Sequence, residues 1–154
     1  MKRQIETIRC TRKSLLEITK ELTAAELNEI PKGFNNNIIW NTGHLIAAQQ
    51  NVCYVRSGLK IAVEDLYFHP FKTESKPEKN YDETEIKAIR ELLLSSWDRF
   101  EADYASGLFG NYTPWTNRYG VALNTIDEVL EFLSFHEGLH YGYVMALKRA
   151  IRIK

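Results

Sequence analysis

The stretch Phe135-His136-Glu137-Gly138-Leu139-His140-Tyr141-Gly142-Tyr143 lies near the C-terminus, in a long segment whose apolar residues recur with the period of a helix. Residues four apart on a helix share one face, about one turn apart, so the imidazole rings of His136 and His140 project from the same side. This spacing allows one divalent metal ion to bind a nitrogen of each ring. The stretch therefore predicts part of a metal site on a core-facing helix.

His136-Glu137-Gly138-Leu139-His140 also matches the H-E-x-x-H pattern of zinc peptidases, in which two helical histidines hold zinc and the glutamate activates water. Those peptidases take their third metal ligand from downstream residues. The residues after His140 contain no His, Cys, Asp or Glu. The chain therefore lacks the third ligand of such a peptidase, and this class of enzyme is excluded. A metal ion held by this pair needs further protein ligands from upstream.

Apolar periodicity and capping residues predict four long helices. Their predicted ranges are Ile5 to Leu22, Ile38 to about Ser57, Asp82 to Gly107, and Thr125 to the C-terminal end. A capping box at Thr23 adds a short extra turn. Residues 59–81 and 108–123 are predicted to be long loops, and the sequence of the second allows a short hairpin. The chain is therefore expected to be an all-α four-helix bundle with long loops between helices 2 and 3 and between helices 3 and 4.

The upstream ligand predicted by this arrangement is His44, on the second helix. Trp40, His44, Ala47 and Ala48 share a face of that helix, and the two alanines leave space beside the imidazole ring. Three neutral nitrogens from two helices would leave a coordination position open, which is typical of a catalytic rather than a structural zinc site. The alternative is that the three histidines are separate core residues, each satisfied by its own hydrogen bonds.

Four other residues that can carry chemistry have more than one interpretation. Glu137 is the catalytic candidate, as a general base; the alternatives are a partner for an imidazole ring or an ordinary carboxylate at the flank of the helix. His69, in the first long loop, is expected to be solvated, with a metal or substrate role as the alternative. Cys10 and Cys53 are expected to be reduced thiols in the core.

The composition limits the function classes. Twenty basic and twenty acidic residues give a formal net charge of zero, so no overall field attracts nucleic acid or an anionic membrane. No apolar run is long enough to span a bilayer, and the N-terminal residues do not resemble a signal sequence. A length of 154 residues suits one domain, residues 1–154. We therefore expect a single-domain cytoplasmic protein that acts on a small molecule.

Two motifs together carry a family resemblance. Trp40-Asn41-Thr42-Gly43-His44-Leu45 on the second helix, followed by His136-x-x-x-His140-x-Gly142 on the fourth, resembles the DinB/YfiT-like superfamily of small bacterial metal-binding four-helix bundles. The resemblance implies an up-down-down-up bundle in which His44, His136 and His140 bind a divalent metal ion, nickel or zinc. Members of the family are often dimers, so it also implies a homodimer.

The resemblance implies an activity as well. Characterised members include bacillithiol S-transferases and the mycothiol-dependent maleylpyruvate isomerase, so the expected function is transfer of a low-molecular-weight thiol to an electrophilic small molecule. Two alternatives stay open from the sequence. One is a metal-dependent hydrolase, and the other is a non-catalytic metal-binding module that serves structure or interaction.

Overall fold

The computed structural model describes residues 1–153, which are mostly helical, so the predicted all-α class is confirmed. The helices are α1 (Lys2–Ile18), α2 (Ala24–Asn28), α3 (Ile38–Gln49), α4 (Glu83–Ala105) and α5 (Ile126–Arg152). Two short strands, β1 (Trp115–Thr116) and β2 (Ala122–Leu123), pair in antiparallel fashion in the second long loop, where the sequence allowed a short hairpin.

The helix starts follow from side-chain caps. Thr23 and Asp82 each form a complete capping box with the glutamate three residues later. The Thr125 hydroxyl accepts a hydrogen bond from the Glu128 backbone N–H, but the Glu128 carboxylate accepts from Asn124 instead of returning to Thr125. Three of the helix starts are thus defined by residues that the sequence analysis had identified.

The helix ends differ from the prediction at two places. The first helix was predicted to reach Leu22, but α1 ends at Ile18, where the guanidinium of Arg90 donates hydrogen bonds to the carbonyl groups of Leu16 and Thr19. The second was predicted to be uninterrupted to about Ser57. It is α-helical only to Gln49 and continues as a π-helical turn over Gln50–Tyr54 and a 3-10 turn over Val55–Ser57.

The four long helices pack around a divided core. Helices α1 and α3 each contact both α4 and α5. The buried apolar residues form two clusters, and on each of the four helices a buried polar residue lies, along the chain, between members of the two clusters. These polar residues are Arg12, Gln49, Ser96 and Glu137. A polar layer therefore crosses the middle of an otherwise apolar interior.

Arg12 is the centre of this layer and is 0% exposed. Its Nε and Nη2 atoms donate to Glu137 Oε1 over 2.9 and 2.7 Å, and its Nη1 atom donates to Gln49 Oε1 and to the Leu93 carbonyl oxygen. The Nη2 atom also donates to the Leu45 carbonyl oxygen over 3.3 Å. One guanidinium on α1 thus joins α3, α4 and α5.

The two cysteines differ in exposure. Cys53 is buried, as predicted, but the prediction that Cys10 is a core thiol is wrong, because Cys10 lies on the exposed side of α1. None of the helices within residues 1–153 combines the length and the apolar character that crossing a membrane requires.

Candidate metal centre

His44 on α3 and His136 and His140 on α5 are brought together by the packing of these two helices. The ring centroids lie 5.4 Å apart for His44 and His136, 4.7 Å for His44 and His140, and 4.5 Å for His136 and His140. One nitrogen from each ring lies within 4.8 Å of the other two. The three predicted ligands therefore lie close enough together that one metal ion could bind all three.

The ring of His44 is held from two sides. Its Nδ1 atom donates a hydrogen bond to the Phe71 carbonyl oxygen over 2.7 Å, and its ring stacks on Trp40 at 4.8 Å between centroids. Phe71 can come this close because residue 43 is a glycine: a Cβ atom there would overlap with the Phe71 ring. Since Nδ1 carries the proton, Nε2 keeps its lone pair for another partner.

His140 is oriented by Asn41, one turn before His44 on the same helix. The Asn41 Nδ2 group donates to Asn36 Oδ1 and to the Asn37 carbonyl oxygen, which fixes the amide so that Oδ1 faces His140. The His140 Nδ1 atom then donates to Asn41 Oδ1 over 2.8 Å. As in His44, this leaves Nε2 unprotonated.

His136 lacks a comparable partner. Its Nδ1 atom is buried and forms no hydrogen bond with residues 1–153. Burial and the neighbouring rings of His140 and His44 lower its pKa to about 2, and burial together with His44 lowers the pKa of His140 to about 3. Burial also lowers the pKa of His44. All three rings are therefore neutral near pH 7.

A cavity of about 430 Å³ opens beside the triad and includes the three histidines in its lining. Its walls combine aromatic side chains from three parts of the chain with a few polar groups. The aromatic residues are Trp40, Trp115, Tyr119 and Phe132, and the polar ones include Asn36, Asn51, Thr73, Glu74, Asn117 and Arg118. Both predicted long loops contribute to the walls.

The donor set fits a divalent metal ion. Metal ligation needs neutral imidazoles whose other nitrogen is held by a carbonyl or amide oxygen, and His44 and His140 satisfy both conditions. The Nδ1 atom of His136 is buried without a hydrogen-bond partner within residues 1–153, which lowers the free energy of unfolding unless another group binds it. Three nitrogen ligands beside an open cavity match nickel or zinc better than calcium or magnesium, which prefer oxygen.

Two other candidates lie elsewhere. Glu137 is 1% exposed, is paired with Arg12 and is not part of the cavity wall, and its Oε2 atom has no hydrogen-bond partner within residues 1–153. Burial raises the pKa of Glu137, although the guanidinium of Arg12 opposes the shift. The side chain of His69 is 60% exposed, 3.9 Å from the carboxylate of Asp65. His69 is thus solvated, as expected for a lone loop histidine.

Two residues that hold the histidines, Asn41 and Phe71, and the arginine that pairs with Glu137 were not predicted from the sequence. Asn41 gave a signal, as an amide one turn before His44 on a strongly apolar helix. Phe71 gave none, because it contributes a backbone carbonyl oxygen that any residue type has. Arg12 gave none either, because a single arginine in an amphipathic helix is normally exposed.

The comparison with curated proteins finds no match. A sequence profile of the DinB superfamily matches residues 7–144, which include most of α1, all three histidines and most of α5. Because the match covers far more than half of the sequence, the chain belongs to the DinB superfamily.

Proposed function

We propose that this protein is a divalent-metal-dependent enzyme that transfers a low-molecular-weight thiol to an electrophilic small molecule. In this proposal the protein is a single domain whose four long helices form an up-down-down-up bundle, and His44, His136 and His140 hold nickel or zinc. The observation that carries it is the convergence of three neutral imidazoles on one point at the wall of a cavity. Membership of the DinB superfamily also supports a metal-dependent function.

A bound ion of this kind would supply a Lewis acid that deprotonates a coordinating thiol near neutral pH. Residues of the chain would keep the ligand nitrogens available and hold the substrate. Phe71 and Asn41 keep the ligand nitrogens of His44 and His140 unprotonated. The aromatic side chains of Trp115 and Phe132 form an apolar wall that excludes water and holds an electrophile.

Glu137 enters this proposal as a residue that holds α5 in place through Arg12. The role of general base that was considered from the sequence is not part of it, because the carboxyl group faces the core and not the cavity. The space beside His44 comes from Ala48, whose small side chain lines the cavity. A larger residue there would reduce the room for a thiol.

The test begins with the protein purified without a metal-binding affinity tag. Elemental analysis should find about one nickel or zinc ion per chain. His44→Ala and His140→Ala should lose both the metal and turnover of 2-mercaptoethanol or cysteine with 1-chloro-2,4-dinitrobenzene. His69→Ala is the matched control, because it removes an exposed imidazole outside the site and should change neither property.

Other outcomes would decide against thiol transfer. Full turnover by a metal-free His44→Ala variant would overturn the proposal. Chelator-sensitive hydrolysis of ester or amide substrates, with no thiol transfer, would make the protein a metal-dependent hydrolase. A melting temperature that falls on chelation, with no turnover in either substrate panel, would make it a non-catalytic metal-binding module.

A further inference from the structure

The charges that line the cavity are few and are not paired with each other. Arg118 is the one lysine or arginine in the lining among residues 1–153, and Glu74 is the one acidic residue. Arg118 forms no hydrogen bond or ion pair with the described part of the chain, so the two charges do not neutralise each other through contact. Three neutral histidines contribute no charge near pH 7, so an unpaired guanidinium is the main fixed positive charge of the protein at this cavity.

Arg118 is presented by a well-defined turn between β1 and β2. The Gly120 N–H donates to the Asn117 carbonyl oxygen over 3.0 Å, and the backbone at Gly120 has a φ of 80°, which favours glycine. The buried side chain of Asn117 accepts hydrogen bonds from the N–H groups of Tyr119 and Val121, each over 3.0 Å. Both neighbours of Arg118 are thus fixed, and its backbone is held at the edge of the cavity.

Arg118 is exposed, and it lines the same cavity as His44, His136 and His140. A molecule that reaches the histidines therefore lies in the same cavity as this guanidinium. Apolar side chains such as those of Trp115 and Phe132 limit the water in the cavity, and less water strengthens the attraction between opposite charges.

The planar fork of a guanidinium binds an oxyanion through two parallel hydrogen bonds. A phosphate dianion is usually met by several donors, such as further cations or the start of a helix. No second lysine or arginine lines this cavity within residues 1–153. A single unpaired guanidinium therefore suits a singly charged group, which is a carboxylate.

We propose that Arg118 forms a carboxylate-binding subsite in this cavity, so that the substrates of the protein are small organic acids that reach the histidine triad with their carboxylate on Arg118. This inference rests on the proposed function in placing the substrate in this cavity. It does not depend on which reaction follows.

The first experiment compares two thiols that differ in charge. The cobalt(II)-substituted protein is titrated with 3-mercaptopropionate and with the neutral 2-mercaptoethanol, and thiol binding is followed by the thiolate-to-cobalt absorption band. The carboxylate-bearing thiol should bind about tenfold more tightly to the wild-type protein. Arg118→Gln should remove this preference, because it should weaken the binding of 3-mercaptopropionate more than that of 2-mercaptoethanol.

Arg3→Ala is the matched control, because it removes one exposed arginine from α1 and changes the net charge by the same amount. It should keep the preference for 3-mercaptopropionate. Equal Kd values for the two thiols in the wild-type protein, or a preference that persists in Arg118→Gln, would overturn the carboxylate subsite.

A second pair of probes contains no thiol and therefore separates this inference from thiol transfer. Binding of phenylacetate and phenylacetamide to the metal-free protein is measured by calorimetry, in the wild type and in Arg118→Gln. A preference for phenylacetate that Arg118→Gln abolishes would support the carboxylate subsite. This holds even if no thiolate-to-cobalt band forms, because a missing band would count against thiol transfer and not against the subsite. Equal binding of the two probes would overturn the subsite whatever the thiol titrations show.

Discussion

The Nδ1 atom of His44 donates a hydrogen bond to the carbonyl oxygen of Phe71 over 2.7 Å. This bond links the first long loop to the second long helix, and it selects the tautomer in which the Nε2 atom of His44 is free to bind a metal. Phe71 is fully buried, and its ring fits against the backbone of α3 at Gly43. The position of one ligand ring therefore depends on the packing of a loop residue.

The first prediction concerns Gly43→Ala. Alanine favours a helix over glycine by about 1 kcal/mol, but the added Cβ overlaps with the Phe71 ring and must displace the loop. We expect the free energy of unfolding to fall by about 1–3 kcal/mol. We also expect metal affinity to fall by about tenfold, because His44 loses its hydrogen-bond partner. Urea unfolding and a competition titration with a metal indicator measure the two effects.

Gly142→Ala is the control for this substitution. Gly142 also lies inside a long helix, but a Cβ atom there meets nothing within 4 Å. The same change should therefore raise the free energy of unfolding by about 0.5–1 kcal/mol through helix propensity alone. If Gly43→Ala behaved like Gly142→Ala in both measurements, Phe71 would not be positioning His44.

The second prediction concerns Glu137→Ala. Removing the carboxylate leaves the guanidinium of Arg12 buried without its charged partner, so we expect the free energy of unfolding to fall by about 3–5 kcal/mol. Glu137→Gln keeps an oxygen acceptor and nearly the same shape, and it should cost less. Urea unfolding of the metal-loaded proteins measures both effects.

Activity separates a positioning role of Glu137 from a catalytic one. If Glu137 holds α5 in place, folded Glu137→Gln protein keeps its metal content and most of its turnover. Loss of turnover in Glu137→Gln with an unchanged free energy of unfolding and unchanged metal content would instead show that the carboxyl group takes part in the reaction.

The third prediction concerns acid pH. The pKa of His136 is lowered from 6.5 to about 2 and that of His140 to about 3 by burial and neighbouring rings. Below pH 6.5 the unfolded chain therefore binds protons that the folded metal-free protein does not. The free energy of unfolding should fall with decreasing pH, by about 1.4 kcal/mol per pH unit for each such histidine, from about pH 6.5 downwards.

Urea unfolding of the chelator-treated protein between pH 7.5 and 5 measures this slope. His136→Gln, which removes one of the depressed groups, should unfold with a shallower dependence on pH, whereas His69→Ala should match the wild type. Identical slopes in all three proteins would mean that the triad is already protonated, or open to solvent, in the folded state.

The sequence predicted the parts of this molecule that depend on local patterns. Apolar periodicity located the long helices, capping boxes located Thr23 and Asp82, and helical spacing paired His136 with His140. The π-helical turn after Gln49 was missed because it depends on distant contacts. Gln49 donates to the Ser96 carbonyl oxygen, and the Gln50 side chain accepts from the N–H of Ala62.

The candidate site also combines features that local sequence patterns predict with features that they do not. The three imidazoles were predictable because histidines at core-facing helical positions are uncommon and need partners. The place of Arg118 in the cavity lining was not predictable, because an exposed arginine in a loop has no distinctive sequence pattern. Its relation to the histidines arises only when the hairpin folds over the end of the cavity.

The hydrogen bonds that join Arg12 to α3, α4 and α5 affect how the protein folds. Its guanidinium is compensated by acceptors on α3, α4 and α5 together, so any partly formed structure that lacks one of these helices leaves the charge short of partners in an apolar surrounding. Such intermediates are disfavoured relative to both the unfolded and the complete states. One buried arginine therefore promotes all-or-none folding, in which His44 on α3 and His136 and His140 on α5 come together in the same cooperative step.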